Sequence, residues 1–143
     1  MDKPRPGVGF GALLLKNNKV LLGKRHDDPE KADSLLHGAG TWTMPGGKLH
    51  FQETFEDGAY REVLEETGIE INKASLQQIS VTNDIVEDAH FVTIGLLSEN
   101  FTGEAEVKEP DEITEWRWFD IDNLPSPLYF PSEKVLKIFK DTR

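Results

Sequence analysis

A mixed α/β domain of sandwich type is predicted by three observations: short β-type runs dominate the chain, only two segments carry helical periodicity, and no internal repeat recurs. The 143 residues fit one domain, 1–143, with roughly two-thirds of the unfolded surface removed from water on folding.

Residues 8–15 are apolar and interrupted by glycine, and residues 20–25 resume as β-type sequence after the polar Lys16-Asn17-Asn18-Lys19, so together they read as a hairpin. Residues 26–40 are polar and Gly-rich apart from Leu35-Leu36 and predict a long surface loop with room for one helical turn. A loop that long in a compact domain is functional or mobile. Residues 41–44 read as a short strand, and Pro45-Gly46-Gly47 as a forced turn. Thr54 is placed to cap a helix running to about Thr67, with Asp57 as an acidic capping-box partner and Gly68 as the C-cap. Residues 79–86 and 91–97 read as strands separated by a polar turn at 87–90. An acidic loop over 101–112 precedes a strand over 113–119 that carries Trp116 and Trp118. After a proline-rich linker at 124–127, Ser132 is expected to cap a last helix with Val135, Leu136, Ile138 and Phe139 as its apolar stripe.

The chain has 26 acidic and 16 basic side chains, and its net charge of −10 opposes binding to duplex nucleic acid or anionic membranes. It has no cysteine, which excludes disulfides and thiolate metal sites and fits a reducing compartment. The first seven residues lack an apolar signal-type region, and no run approaches the roughly 18 to 20 apolar residues that span a bilayer. The expected location is the cytoplasm.

The most informative stretch is 47–69. At 100° per residue Glu62, Glu65 and Glu66 occupy one narrow helix face, and Glu53 lies in the turn before it. Like charges that close raise each other's pKa, so such a cluster points to a hard divalent cation, Mg²⁺ or Mn²⁺. A solvated acidic face is the bland alternative. The glycines that flank the helix, Gly46-Gly47 before it and Gly68 after it, weigh against that alternative, because a plain surface helix does not require them.

These residues resemble the signature of the Nudix (MutT-like) hydrolases: Gly, five residues, Glu, seven residues, Arg-Glu, an aliphatic residue, any residue, Glu-Glu, any residue, Gly and an aliphatic residue. Gly47, Glu53, Arg61, Glu62, Val63, Glu65, Glu66, Gly68 and Ile69 fill its nine positions. The resemblance implies an α/β/α sandwich, with a mixed sheet, a central signature helix and a C-terminal helix. It also implies hydrolysis of a nucleoside diphosphate linked to a further group. Glu65 and Glu66 would be the principal metal ligands, and Glu62 a further ligand or the base that activates water. Arg61 would pair with Glu53 or a neighbouring carboxylate. Gly46 and Glu109 complete the implied metal site, with Glu109 preferred to Glu112 for its distance ahead of Trp116.

Outside the helix the resemblance makes Arg25 a phosphate contact, against a plain reading as a strand-end surface cation; strand alternation puts Lys24 on the opposite face, in solvent. Thr93, Leu128 and Phe130 fall in segments that line the base pocket of related triphosphatases. His37, His50 and His90 have no partner in the sequence and receive no catalytic role. Most of the aromatic residues are needed for the core.

The leading expectation is an Mg²⁺-dependent nucleoside triphosphate pyrophosphohydrolase, because the Arg-Pro-Gly-Val-Gly opening and the Leu-Leu-Gly-Lys-Arg strand resemble the MutT-like triphosphatase branch of the family. An ADP-ribose or other nucleoside-diphosphate-sugar hydrolase is the alternative, disfavoured by the absence of proline over residues 80–85. Hydrolysis of capped RNA fits poorly with the acidic charge. A binding module that has lost catalysis would have shed signature glutamates, and all are present here. A small-molecule nucleotide is therefore the expected partner, with a homodimer expected by analogy alone.

Overall fold

In a computed structural model, which describes residues 3–32, 34 and 36–143, a mixed seven-stranded sheet carries one helix on each face. Leu35 of the Leu35-Leu36 pair lies outside the described residues. The elements run β1 (Gly7–Lys16), β2 (Lys19–Arg25), β3 (Trp42–Thr43), β4 (Gly46–Lys48), α1 (Phe55–Thr67), β5 (Glu70–Ile71), a 3-10 turn (Lys73–Ser75), β6 (Gln77–Val86), β7 (Ala89–Ser98), β8 (Phe101–Thr102), β9 (Ile113–Asp120) and α2 (Phe130–Asp141).

The order β3-β2-β1-β7-β6 places β1 at the centre, with β4 added to β1 and β9 to β2. The β1–β7 pair is parallel and the other pairs are antiparallel. Between Lys16 and Lys19, Asn17 and Asn18 take φ values of 52° and 62°, the left-handed two-residue turn whose twist suits a hairpin. The turn between β6 and β7 is just as short: Val86 pairs directly with Ala89, so the sequence expectation of a four-residue turn shrinks to Glu87-Asp88.

Alternation along the central strands divides the core. Phe10, Ala12 and Leu14 of β1 with Leu21 of β2 face α1, where they pack on Ala59 and Val63. Leu13, Val20 and Leu22 face α2 and pack on Val135, Leu136 and Phe139. Both faces are thus covered, which is why the two strands read as nearly unbroken apolar runs. Each fully buried leucine stabilises the fold by about 1.5–3 kcal/mol relative to an exposed one.

Several local expectations are corrected. Gly46 and Gly47 do not make a turn; they belong to β4, whose Gly46 sits so tightly on β1 that a side chain there would collide with the Phe10 carbonyl. Thr54 caps α1 through its hydroxyl, which accepts from the Asp57 N–H, but the Asp57 carboxylate does not reciprocate; it accepts from Lys73 Nζ at 3.1 Å. Gly68 ends the helix in the left-handed conformation, φ 81°, as expected. Ser132 does not cap α2, which begins two residues earlier, after Tyr129. Its buried hydroxyl instead accepts from the Met44 N–H at 3.0 Å and lies 3.2 Å from Thr43 Oγ1, tying α2 to the end of β3.

Candidate active site

Local structure first places the carboxylates. Because α1 packs on β1 through Ala59 and Val63, the next face of the helix looks along β4, and there Glu62 and Glu66 stand half-buried. Gly47 leaves the space: a Cβ at this position would lie 2.7 Å from the Glu62 carboxyl carbon. The Gly46 N–H donates to Glu66 Oε2 at 3.1 Å. One short strand therefore makes room for one glutamate and holds another.

Arg61 organises the other side. Its Nε and Nη2 donate to Glu53 Oε2 and Oε1 at 2.8 and 2.9 Å, a two-pronged pair that takes both carboxylate oxygens. Nη1 donates to Glu62 Oε1 at 2.6 Å, and Nη2 also reaches the Lys48 carbonyl. Glu53 accepts from the His50 N–H as well. The hydrogen bonds from Arg61 and then from His50 bring the Glu53 pKa down to about 2. Glu53 is thus the anchor of Arg61.

The remaining carboxylates are held less comfortably. Burial, and then the charge of Glu62, push the Glu66 carboxyl well above the usual carboxylate range, against the opposing bond from Gly46. Glu109, on the loop before β9, is also raised, first by desolvation and then by Glu112, Glu62 and Glu65. Glu62, Glu65, Glu66 and Glu109 all line one cleft of about 550 Å³. Its floor is Gly9, Gly11 and Thr93; its far wall is Tyr129, Pro131 and Ser132 at the start of α2. Ala32, Ser34 and Leu36 of the 26–40 segment also line it.

The donor set is entirely oxygen, and two of its members, Glu66 and Glu109, ionise reluctantly because of burial first and neighbouring carboxylates second. Both features fit a hard divalent cation, which prefers carboxylates and would restore their charge. Among the described residues no three acidic or histidine side chains stand close enough together to hold a metal ion as they are placed. The fit is one of donor type: Mg²⁺ keeps several positions for water and substrate oxygens and needs few protein ligands.

Of the other expected site residues, Thr93 lines the cleft, whereas Leu128 and Phe130 do not. Leu128 bridges to Trp42 and packs in the core under α2, and Phe130 lies under Lys134. Tyr129, the residue between them, faces the cleft instead. Arg25 lines the cleft too, and two of its five N–H donors are taken by the chain: Nε and Nη2 donate to the Gly38 and Ala32 carbonyls at 3.0 and 2.7 Å. Sequence reasoning also passed over Ser132, Phe91 and Lys48 as cleft residues. For the floor a signal existed: Gly7, Gly9 and Gly11 alternate along β1, stripping one strand face of side chains.

Comparison with known proteins agrees with this geometry. The NUDIX domain model matches residues 5–139. An ADP-ribose pyrophosphatase from Methanocaldococcus jannaschii is 33% identical over 132 residues, covering 92% of this chain and 72% of that protein. An oxidized purine nucleoside triphosphate hydrolase from Danio rerio is 32% identical over 117 residues, covering 79% of this chain and 65% of the relative. The chain thus spans roughly two-thirds of the length of these curated relatives. The crystal structure of a MutT NUDIX hydrolase from Burkholderia pseudomallei superposes with a TM-score of 0.81 at 34% identity, covering 93% of this chain and 97% of that one. The fold and its carboxylate helix define a hydrolase of phosphoric anhydrides. The chain belongs to the Nudix family and is a pyrophosphohydrolase. Nudix hydrolases generally use divalent metals and act on nucleotide small molecules. Among the described residues no helix is long and apolar enough to cross a membrane.

Proposed function

We propose that this chain hydrolyses a nucleoside triphosphate to the nucleoside monophosphate and pyrophosphate, with Mg²⁺ or Mn²⁺ held by Glu62, Glu65, Glu66 and Glu109. The observation that carries the reading is the single cleft onto which all four carboxylates open. Its volume lies within the range of small-molecule sites, about 300–1,000 Å³, and suits one nucleotide. A bound divalent cation supplies charge neutralisation of the anhydride oxygens and a lowered pKa for the attacking water. The protein's own part is to fix the carboxylates: Gly46 holds Glu66, and Arg61, anchored on Glu53, holds Glu62. Water adds its oxygen to phosphorus, the bridging P–O bond breaks, and the water proton passes to Glu62 or Glu109. With a net charge of −10, the chain is better suited to a free nucleotide than to RNA.

A second reading, hydrolysis of ADP-ribose or another nucleoside diphosphate sugar, is supported by the M. jannaschii relative and by a neighbouring cavity. That cavity is lined by Arg5, Leu49, Ile85 and His90 and shares Lys48 and Phe91 with the main cleft, giving space for a second arm beyond the anhydride.

Both readings are tested by incubating the protein with Mg²⁺ and a nucleotide panel and resolving the products. Pyrophosphate from a triphosphate supports the first, and AMP with ribose phosphate from ADP-ribose supports the second. Equal inactivity of the wild type and E65Q on every substrate overturns both.

A further inference from the structure

The guanidinium of Arg25 sits at the end of β2 with the 26–40 segment folded around it. Its two bonded carbonyls, on Ala32 and Gly38, lie six residues apart, so one side chain gathers both flanks of the segment. The guanidinium also stacks on the Tyr129 ring, 4.8 Å from its centroid.

Tyr129 continues the attachment. Its hydroxyl lies 2.7 Å from Ser34 Oγ, and the Gly38 backbone rests so close to the ring edge that a Cβ there would meet Tyr129 Cδ1 at 2.5 Å. Tyr129 is fixed from behind, since its N–H donates to the Trp42 carbonyl at 2.8 Å. Among its described residues the segment has little regular structure beyond turns: one at Asp28, whose carbonyl accepts from Lys31 and Ala32, one in which the Ser34 carbonyl accepts from His37, and a Gly38–Thr41 turn. Holding such a segment in place costs backbone entropy at every ordered residue. Yet it delivers Ala32, Ser34 and Leu36 to the cleft.

We propose that Arg25 is a positioning residue, which with Tyr129 pins the described part of the 26–40 segment as the roof of the nucleotide cleft. The two bonds come from adjacent nitrogens of one planar guanidinium, so they fix the Ala32 and Gly38 backbones relative to each other. His26 strengthens the coupling, because its N–H donates to the Glu112 carbonyl at 2.7 Å and so joins the start of the roof to the loop that carries Glu109.

The test compares the full chain with R25A, R25K, Y129F and R25A/Y129F, by backbone hydrogen exchange without nucleotide and by steady-state kinetics on the triphosphate that is turned over. Positioning predicts that R25A speeds exchange across residues 26–40 by about tenfold or more while the β1–β7 core stays protected. KM should rise about tenfold and kcat change less than about threefold, because a binding wall and not a transition-state contact is lost. Residues acting through one roof are not additive, so the double variant should raise KM by no more than about twofold beyond R25A. R25K, which cannot fork to two carbonyls, should restore little of the protection. Unchanged exchange in R25A, together with a kcat loss of about a hundredfold, would show a direct phosphate contact and overturn the proposal. Should R25A fail to fold, faster exchange at residues 30–38 in Y129F supports the proposal and unchanged exchange overturns it. If no nucleotide is hydrolysed the proposed function fails, while the exchange result still decides the role of Arg25.

Discussion

The two sides of the cleft are built in opposite ways. The carboxylate side comes from one continuous stretch, β4 through α1, in which helical spacing turns a sequence motif directly into a surface. The roof and far wall combine residues from β2, the 26–40 segment and the start of α2, joined by contacts such as Ser34 to Tyr129 across 95 positions. On the first side the polar groups hold one another for chemistry, and on the second they hold the backbone. A substitution on the carboxylate side should therefore act on turnover, and one on the roof should act on binding.

The sharpest break of that contrast is E66Q. Removing a metal-binding carboxylate should lower kcat by about a hundredfold or more. Without metal the protein should melt at the same temperature or slightly higher, because the Gln oxygen can still accept from Gly46 while the repulsion with Glu62 is gone. A large drop in the metal-free melting temperature would count against the electrostatic account of this side.

R61K comes next. A lysine cannot span both oxygens of Glu53 and also reach Glu62. With Arg61 and Glu53 mostly shielded, their side chains 22% and 13% exposed, the lost charged bonds should cost about 1–3 kcal/mol in chemical denaturation. Turnover should fall about ten- to a hundredfold as Glu62 loses its support. Retention of both full activity and full stability would mean that the fork is incidental.

A smaller effect separates geometry from stability. In G47A the new methyl group meets the end of the Glu62 side chain and not backbone, so the fold should accommodate it at a cost under about 1 kcal/mol. Glu62 must then shift away from its bond to Arg61, and kcat should drop about tenfold. A matched loss in melting temperature and no loss in kcat would reverse this assignment.

The same contrast explains what was legible before the structure. Glu62, Glu65, Glu66, Arg61 and the cap at Gly68 could be read because each relation spans a few helical residues, or one turn. Tyr129 was missed in favour of its neighbours Leu128 and Phe130, because no periodicity applies in an irregular linker where one residue's rotation decides which side chain faces the cleft. Ser132 looked like a helix cap by residue type alone; its partner Thr43 lies 89 positions away, and nothing local announces that hydroxyl pair. The strand at Gly46–Lys48 was read as a turn because glycine marks both turns and close backbone packing, and only the neighbouring Phe10 carbonyl decides between them.

The least of the expected effects is also the most specific to the carboxylate side. Glu53 is held near a pKa of about 2, below the ordinary 4.5, so its ionised form favours the folded state. That contribution is complete above about pH 4.5 and is lost as pH falls toward about 2, where the carboxyl protonates in the folded chain as well. In E53Q it is absent throughout. Denaturant midpoints should therefore show the wild type ahead of E53Q at pH 7, with the gap narrowing steadily between pH 4.5 and pH 2. A gap that stays constant over that range would mean that Glu53 supports Arg61 by shape and hydrogen bonding alone, and the charge argument for this side of the cleft would have to be withdrawn at its anchor.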